Sequence, residues 1–470
     1  MFSANNAISR YVNKYWAVPN GYRHMLKVSL PLIASMGTAT IMEVTDRLFL
    51  SRYSVDALAA SVPASSASLI FLLTLMGVTG YVGVFIAHYT GANLREHVGT
   101  ALWQSVYLSI AGGIILAFMC LLARPMFALA GADVAIMDLE IVYFRILSLG
   151  GVIALLGYSL GCFFTGRGKS RQVMFANLVA AAINVPLNYA LIFGKFGFPE
   201  LGIAGAGLAT VIGWTVSTAI LAYKVFTPEN DKLYAVRRNW RLNFSYIKKM
   251  LRYGLPSGAE LFMEMLATTI FVFLAGYLGT TALAASNIAF TINGLAYLPM
   301  IGIYTATSIL VGQAMGAGNP KGAERAVLSA LHLIAIYMVI LSALFVLVPD
   351  FLIAFFKTDG DFIAIRDETV VLLRFVALYC LFDSFCLVYF GALKGAGDTV
   401  FVMILMTVGC VVLAGGAIGI LVVFKSLYGI WAMLTVYIGL MGLGAYIRYR
   451  QGVWKKMKLI GHHGNVVEEK

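Results

Sequence analysis

The sequence predicts an all-α integral membrane protein with twelve transmembrane helices in two parallel six-helix lobes, and three observations carry that prediction. Hydrophobic residues fill 60% of the 470 positions and charged residues 12%, against about 45 to 50% and about 25% in soluble domains. The apolar residues fall in long runs, each near the roughly 20 residues that cross a hydrocarbon core of about 30 Å. Blocks of the first half recur in the second half in the same order. No dyad alternation appears at 66–87 or 401–423, so the spans are helices and not barrel strands.

Six runs occupy approximately 26–50, 60–87, 101–123, 140–165, 172–194 and 201–225, and six more 250–276, 284–312, 326–349, 368–393, 400–424 and 428–447. Residues 1–24 carry Arg10, Lys14 and Arg23 but no apolar stretch of signal-peptide length, so the first helix is expected to direct insertion. With the N-terminus in the cytoplasm, 25 of the 34 Lys and Arg residues lie on that side, among them Lys224, Arg237, Arg238, Arg241 and Lys249. The positive-inside rule therefore predicts cytoplasmic N- and C-termini in a bacterial-type inner membrane. The basic tail of Arg448, Arg450, Lys455, Lys456 and Lys458 is read first as a stop-transfer signal and second as a contact for membrane lipids. The net charge of +12 follows this topology, and no soluble basic module exists to bind nucleic acid. Five cysteines, at 120, 162, 380, 386 and 410, sit inside apolar runs without zinc spacing and read as core filler.

The repeat carries the architecture. Asp56-Ala57-Leu58-Ala59-Ala60-Ser61 returns as Thr281-Ala282-Leu283-Ala284-Ala285-Ser286 at an offset of 225 residues. Leu30-Pro31 meets Leu255-Pro256 at that offset, and Gly91-Ala92 meets Gly316-Ala317. The offset then grows to 229, pairing Arg145 with Arg374 and Gly168 with Gly397. Duplicated units of an even number of helices enter the membrane from the same side, an arrangement that transporters use for alternating access. The expected division is 1–236 for the amino-terminal lobe and 237–470 for the carboxy-terminal lobe.

An ionisable group near the bilayer centre costs about 2.5 to 3.5 kcal/mol, so it persists where it serves a pathway or finds a partner. Glu43 and Asp46 stand at i, i+3 in the first helix, Glu260 and Glu264 at i, i+4 in the seventh, and Asp383 mid-way along the tenth. Carboxylates sharing a face in low dielectric repel, so at least one should hold a proton or face a bound cation. Glu43 has a competing partner one turn away in Arg47, and Glu260 lies near Pro256, where water can hydrate it. Asp46 has companion oxygens in Asn184 and Asn188, at i, i+4 on the fifth helix. Asp398-Thr399, after Gly395-Ala396-Gly397, reads as a helix N-cap.

The run from Pro186 to Gly194 (PLNYALIFG), followed by Leu201 to Thr210 (LGIAGAGLAT), resembles a hallmark of the multidrug and toxic compound extrusion (MATE) family. Gly254-Leu255-Pro256, Val311 to Gly318 and Gly391 to Thr399 are similar to further family signatures, so the resemblance spans about residues 25 to 450. It implies two lobes around a V-shaped cleft and export of organic, often cationic and amphipathic compounds against inward Na+ or H+. By motif position Asp46, Asn184, Asn188 and Thr210 resemble an amino-terminal-lobe cation site, and Glu264 with Asp383 the carboxylate pair of the NorM-like branch. Either set is expected to hold Na+ or a proton, with Glu43 and Glu260 as further cavity acids. Asn188 departs from members that carry Asp there, which leaves the coupling ion open.

The expected protein is thus a monomeric antiporter without cofactor, using Na+ or H+ as coupling ion and small organic molecules as cargo. The alternative within the superfamily, a flippase for lipid-linked or metabolite cargo, predicts extra helices and a basic cavity. A membrane-embedded enzyme would need a metal or nucleophile constellation, which the scattered histidines (24, 88, 97, 332, 462 and 463) do not provide.

Overall fold

The computed structural model describes residues 16–129, 131, 133–356 and 362–460; Arg10, Lys14, His462 and His463 lie outside them. Among the described residues twelve helices are long and apolar enough to cross a membrane, as expected. They are α1 (Tyr22–Tyr53), α2 (Val55–Gly91), α3 (Arg95–Leu121), α4 (Met137–Thr165), α5 (Arg171–Phe193) and α6 (Ile203–Val225), then α7 (Phe244–Gly276), α8 (Thr280–Gly316), α9 (Pro320–Leu347), α10 (Phe362–Ala396), α11 (Thr399–Phe424) and α12 (Leu427–Gln451). The shortest, 23 residues, rises about 34 Å at 1.5 Å per residue, enough for the hydrocarbon core.

Local chemistry sets the helix ends. Ser54 accepts the N–H of Ala57 at the start of α2, Asn319 accepts that of Gly322 before α9, and Ser426 accepts that of Gly429 before α12. Gly168 and Gly397, equivalent in the repeat, both adopt positive φ, 70° and 111°, in the turns after α4 and α10, which a side chain would strain. The duplicated sequence therefore folds into duplicated turns. The N-cap expected of Asp398-Thr399 is not formed. Asp398 makes no side-chain capping bond; its carboxylate instead takes Arg448 Nε at 2.7 Å, because an ion pair outweighs a single amide in this buried place.

The chain separates into two compact units, one of Pro31–Phe262 with Leu459 and Ile460, the other of the described residues up to Leu30 with Met263–Lys458. The switches between the units fall inside α1 and α7. Within the first unit α4 is central, packing against α2, α3 and α6. Its repeat equivalent α10 is central in the second, against α8, α9 and α12.

In the first unit helix α2 is interrupted at Tyr81, and the carbonyls of Thr79 and Gly80 are taken by Ser105 Oγ at 3.0 Å and Cys162 Sγ at 3.5 Å. Backbone groups freed within a membrane span must be satisfied by neighbours in this way. All five cysteines of the chain are buried and unbridged, in keeping with their reading as core filler.

Candidate functional site

The sequence Ala204-Gly205-Ala206-Gly207 brings α5 and α6 into close approach, since a Cβ on Gly205 would stand 2.5 Å from the carbonyl oxygen of Leu191. Small residues are the usual means of such contact between membrane helices. The approach places Thr210, one turn further along α6, over the polar face of α5. Asn184 and Asn188 share that face by their i, i+4 spacing, and Asp46 of α1 enters from the other side.

The four expected residues therefore meet. Asn188 Nδ2 donates to Asp46 Oδ1 at 2.5 Å and to Asn184 Oδ1 at 3.0 Å, while Thr210 Oγ1 donates to Asp46 Oδ2 at 2.9 Å. Tyr143 of α4 hydrogen-bonds the same carboxylate. Asp46 is 6% exposed and both asparagines are fully enclosed. Within this enclosure Asn184 Nδ2 and Asn188 Oδ1 have no hydrogen-bond partner among the described residues. A buried amide left unpaired costs about 1–3 kcal/mol, so the cluster has free capacity for a ligand at Asp46. Its donors are one carboxylate, amides and hydroxyls, a hard-oxygen set suited to Na+ or a proton.

In the second unit Tyr297 of α8 donates to Glu264 Oε1 at 2.9 Å. Asp383 of α10 lies close enough to Glu264 to feel its charge, and Tyr297 feels both. Glu264 and Asp383 thus lie within electrostatic reach of each other, with the Tyr297 hydroxyl on Glu264. Glu43 pairs with Arg47 at 2.6 Å, both side chains about half exposed. Glu260 is buried at 4% exposure, on the other side of the Phe262/Met263 unit boundary from Glu264.

The two halves do not duplicate their acids. At the repeat offset the counterpart of Asp46 is Phe271, which is buried and packs edge-on against Phe290 and Trp431 at 5.5 and 5.4 Å. Tyr143 and Tyr297 were not legible in the sequence, because a tyrosine within an apolar run has no periodicity that sets it apart from bulk aromatic filling.

A duplicated helical membrane protein with an enclosed carboxylate in one repeat and a carboxylate pair in the other has the organisation expected of a transporter. Comparison with known proteins agrees. The MatE family model matches twice, at residues 31–190 and 256–416, two stretches that begin 225 residues apart, the offset of the internal repeat. The chain belongs to the MatE family. Among curated relatives, a "Probable multidrug resistance protein NorM" of Pseudomonas putida is 29% identical over 452 residues, covering 94% of this chain and 96% of its own. One of the same name from Thermotoga maritima is 28% identical over 395 residues, covering 83% of each. The fold is shared with a solved multidrug resistance MATE family transporter of the MOP superfamily in an outward-facing conformation, at a TM-score of 0.85 and 22% identity over 93% of this chain and 97% of that one. A MOP superfamily transporter from Pyrococcus furiosus gives a TM-score of 0.84 at 22% identity, with the same coverage.

Proposed function

We propose that the protein is a multidrug efflux antiporter of the inner membrane that exports organic, often cationic and amphipathic compounds in exchange for Na+ or H+. The relatives named as multidrug resistance proteins support the cargo class. The observation that carries coupling is the enclosed Asp46 carboxylate, with an unpaired amide atom on each neighbouring asparagine. The two lobes, 1–236 and 237–470, expose the cargo site alternately to either face, with both termini in the cytoplasm. The working unit is a monomer without cofactor.

The chemistry rests on the donor set. With no cation at Asp46, Asn188 presents its N–H to the carboxylate. A half-turn of that amide replaces the donor by an acceptor, so Asp46, Asn188 Oδ1 and Thr210 can jointly hold a cation. Alternatively a proton on Asp46 makes the carboxyl itself a donor. Either event removes a negative charge from among α1, α5 and α6 and changes their preferred packing, and release of cargo follows as a shift in population. Glu264 and Asp383 form a second acidic locus, where Na+ or a cationic cargo relieves the repulsion between like charges.

The test is ethidium efflux from proteoliposomes under an imposed Na+ gradient or an imposed pH gradient, in wild type, Asp46→Asn and Glu264→Gln. Loss of gradient-driven efflux in Asp46→Asn, with ethidium still bound by the purified variant, supports coupling at the amino-terminal site. Efflux unchanged in both variants would overturn the coupling assignment. Absence of efflux from wild type under either gradient would overturn the cargo class.

A further inference from the structure

Away from the acidic sites, the start of α9 and the end of α12 flank an open cavity of about 410 Å³. Val327, Leu328 and Leu331 supply an apolar floor, and Arg450 and Lys455 the rim. The rim is built rather than incidental. Gly452, at a left-handed φ of 70°, reverses the chain after α12 into the short 3-10 helix Val453–Lys456. Trp454 in that helix is fully buried, stacks on Tyr449 at 5.2 Å and donates to the Tyr449 carbonyl at 2.9 Å. The anchor turns Lys455 back over α9, where it pairs with Glu324.

Two cations and one carboxylate leave the rim with one net positive charge, above a floor whose Leu328 is 39% exposed. Both helices leave the apolar span at this point, so an occupant with one negative charge and a hydrocarbon tail matches the site from both sides. We propose that this cavity binds the headgroup of an anionic phospholipid, its phosphate held by Arg450 and Lys455 and an acyl chain lying along Val327, Leu328 and Leu331. Each cation near an anionic lipid contributes on the order of a five-fold gain in binding. Glu324 competes with the phosphate for Lys455 and so sets the affinity.

The experiment is native mass spectrometry of the purified full-length protein equilibrated in detergent with phosphatidylglycerol, phosphatidylethanolamine or phosphatidylcholine of identical acyl chains. The expected result is one tightly retained phosphatidylglycerol, bound at least about five-fold better than the two zwitterionic lipids. Arg450→Ala should lower that retention about five-fold, and Glu324→Gln should raise it. The gain in Glu324→Gln separates a lost site from a misfolded protein. Equal retention of all three lipids, preference for phosphatidylethanolamine, or a Glu324→Gln protein that binds phosphatidylglycerol no better than wild type would overturn the proposal.

Discussion

Asn188 donates its side-chain N–H to Asp46 Oδ1 at 2.5 Å and so ties α5 to α1 across 142 residues of sequence. The bond is buried, which makes each partner costly to remove. Asn188→Leu should destabilise the protein by about 1–3 kcal/mol through the acceptor left short of a donor, seen as a lower melting temperature in detergent. Asn188→Asp should instead raise the affinity for the coupling ion, because a second carboxylate joins the first. Ion-dependent quenching of intrinsic fluorescence would report it, and an unchanged affinity would remove Asn188 from the cation site.

Tyr297 holds Glu264 by a single hydroxyl. Tyr297→Phe deletes that donor and keeps the ring, so packing should survive while about 0.5–1.5 kcal/mol of hydrogen bonding is lost. The half-saturating concentration of coupling ion should shift about two- to ten-fold with little change in maximal efflux. A fall in maximal efflux at constant ion dependence would mean that the hydroxyl serves cargo rather than ion.

Gly77 of α2 faces Gly258 of α7, and a Cβ on Gly77 would stand 2.7 Å from the Gly258 Cα and 2.9 Å from the Ser257 carbonyl oxygen. Backbone cannot yield as a side chain can. Gly77→Ala should cost about 1–3 kcal/mol and lower the melting temperature. Gly415→Ala on α11, where nothing lies within 4 Å, should be neutral or stabilising by up to about 1 kcal/mol from helix propensity. Equal behaviour of the two variants would refute the close approach.

The Asp398–Arg448 pair spans 2.7 Å, with the carboxylate 5% and the guanidinium 24% exposed. Arg448→Met strands Asp398 and should cost about 3 kcal/mol, the lower end for buried pairs because Arg448 is partly in solvent. Adding Asp398→Asn should recover most of that loss. A double-mutant cycle in chemical denaturation measures the coupling, and additive effects would show that the pair contributes packing alone.

What was legible in the sequence depended on how local the signal was. The twelve spans follow from uninterrupted apolar length, and the duplication from short blocks at constant offset, so both were readable without any contact. Asp46 with Asn184 and Asn188 was readable because the asparagines share a face by spacing alone, and an unpaired acid in an apolar helix stands out by its insertion cost. Thr210 came only from resemblance, since a threonine in a small-residue run carries no energetic oddity. The partnership of Asp398 with Arg448 reaches 50 residues along the chain, and local propensity pointed to a cap instead.

The burial of all five thiols gives the protein a quiet chemical background. Polar maleimide or methanethiosulfonate reagents should leave the native chain unmodified, so a cysteine introduced at Leu129 or Tyr277, 90% and 81% exposed, would carry the entire label. Those positions lie in different compact units. A pair of nitroxides there, read by pulsed dipolar spectroscopy in nanodiscs with and without Na+ or at two values of pH, would record as a distance distribution whatever rearrangement the ion drives, without first stripping the chain of its own sulfur.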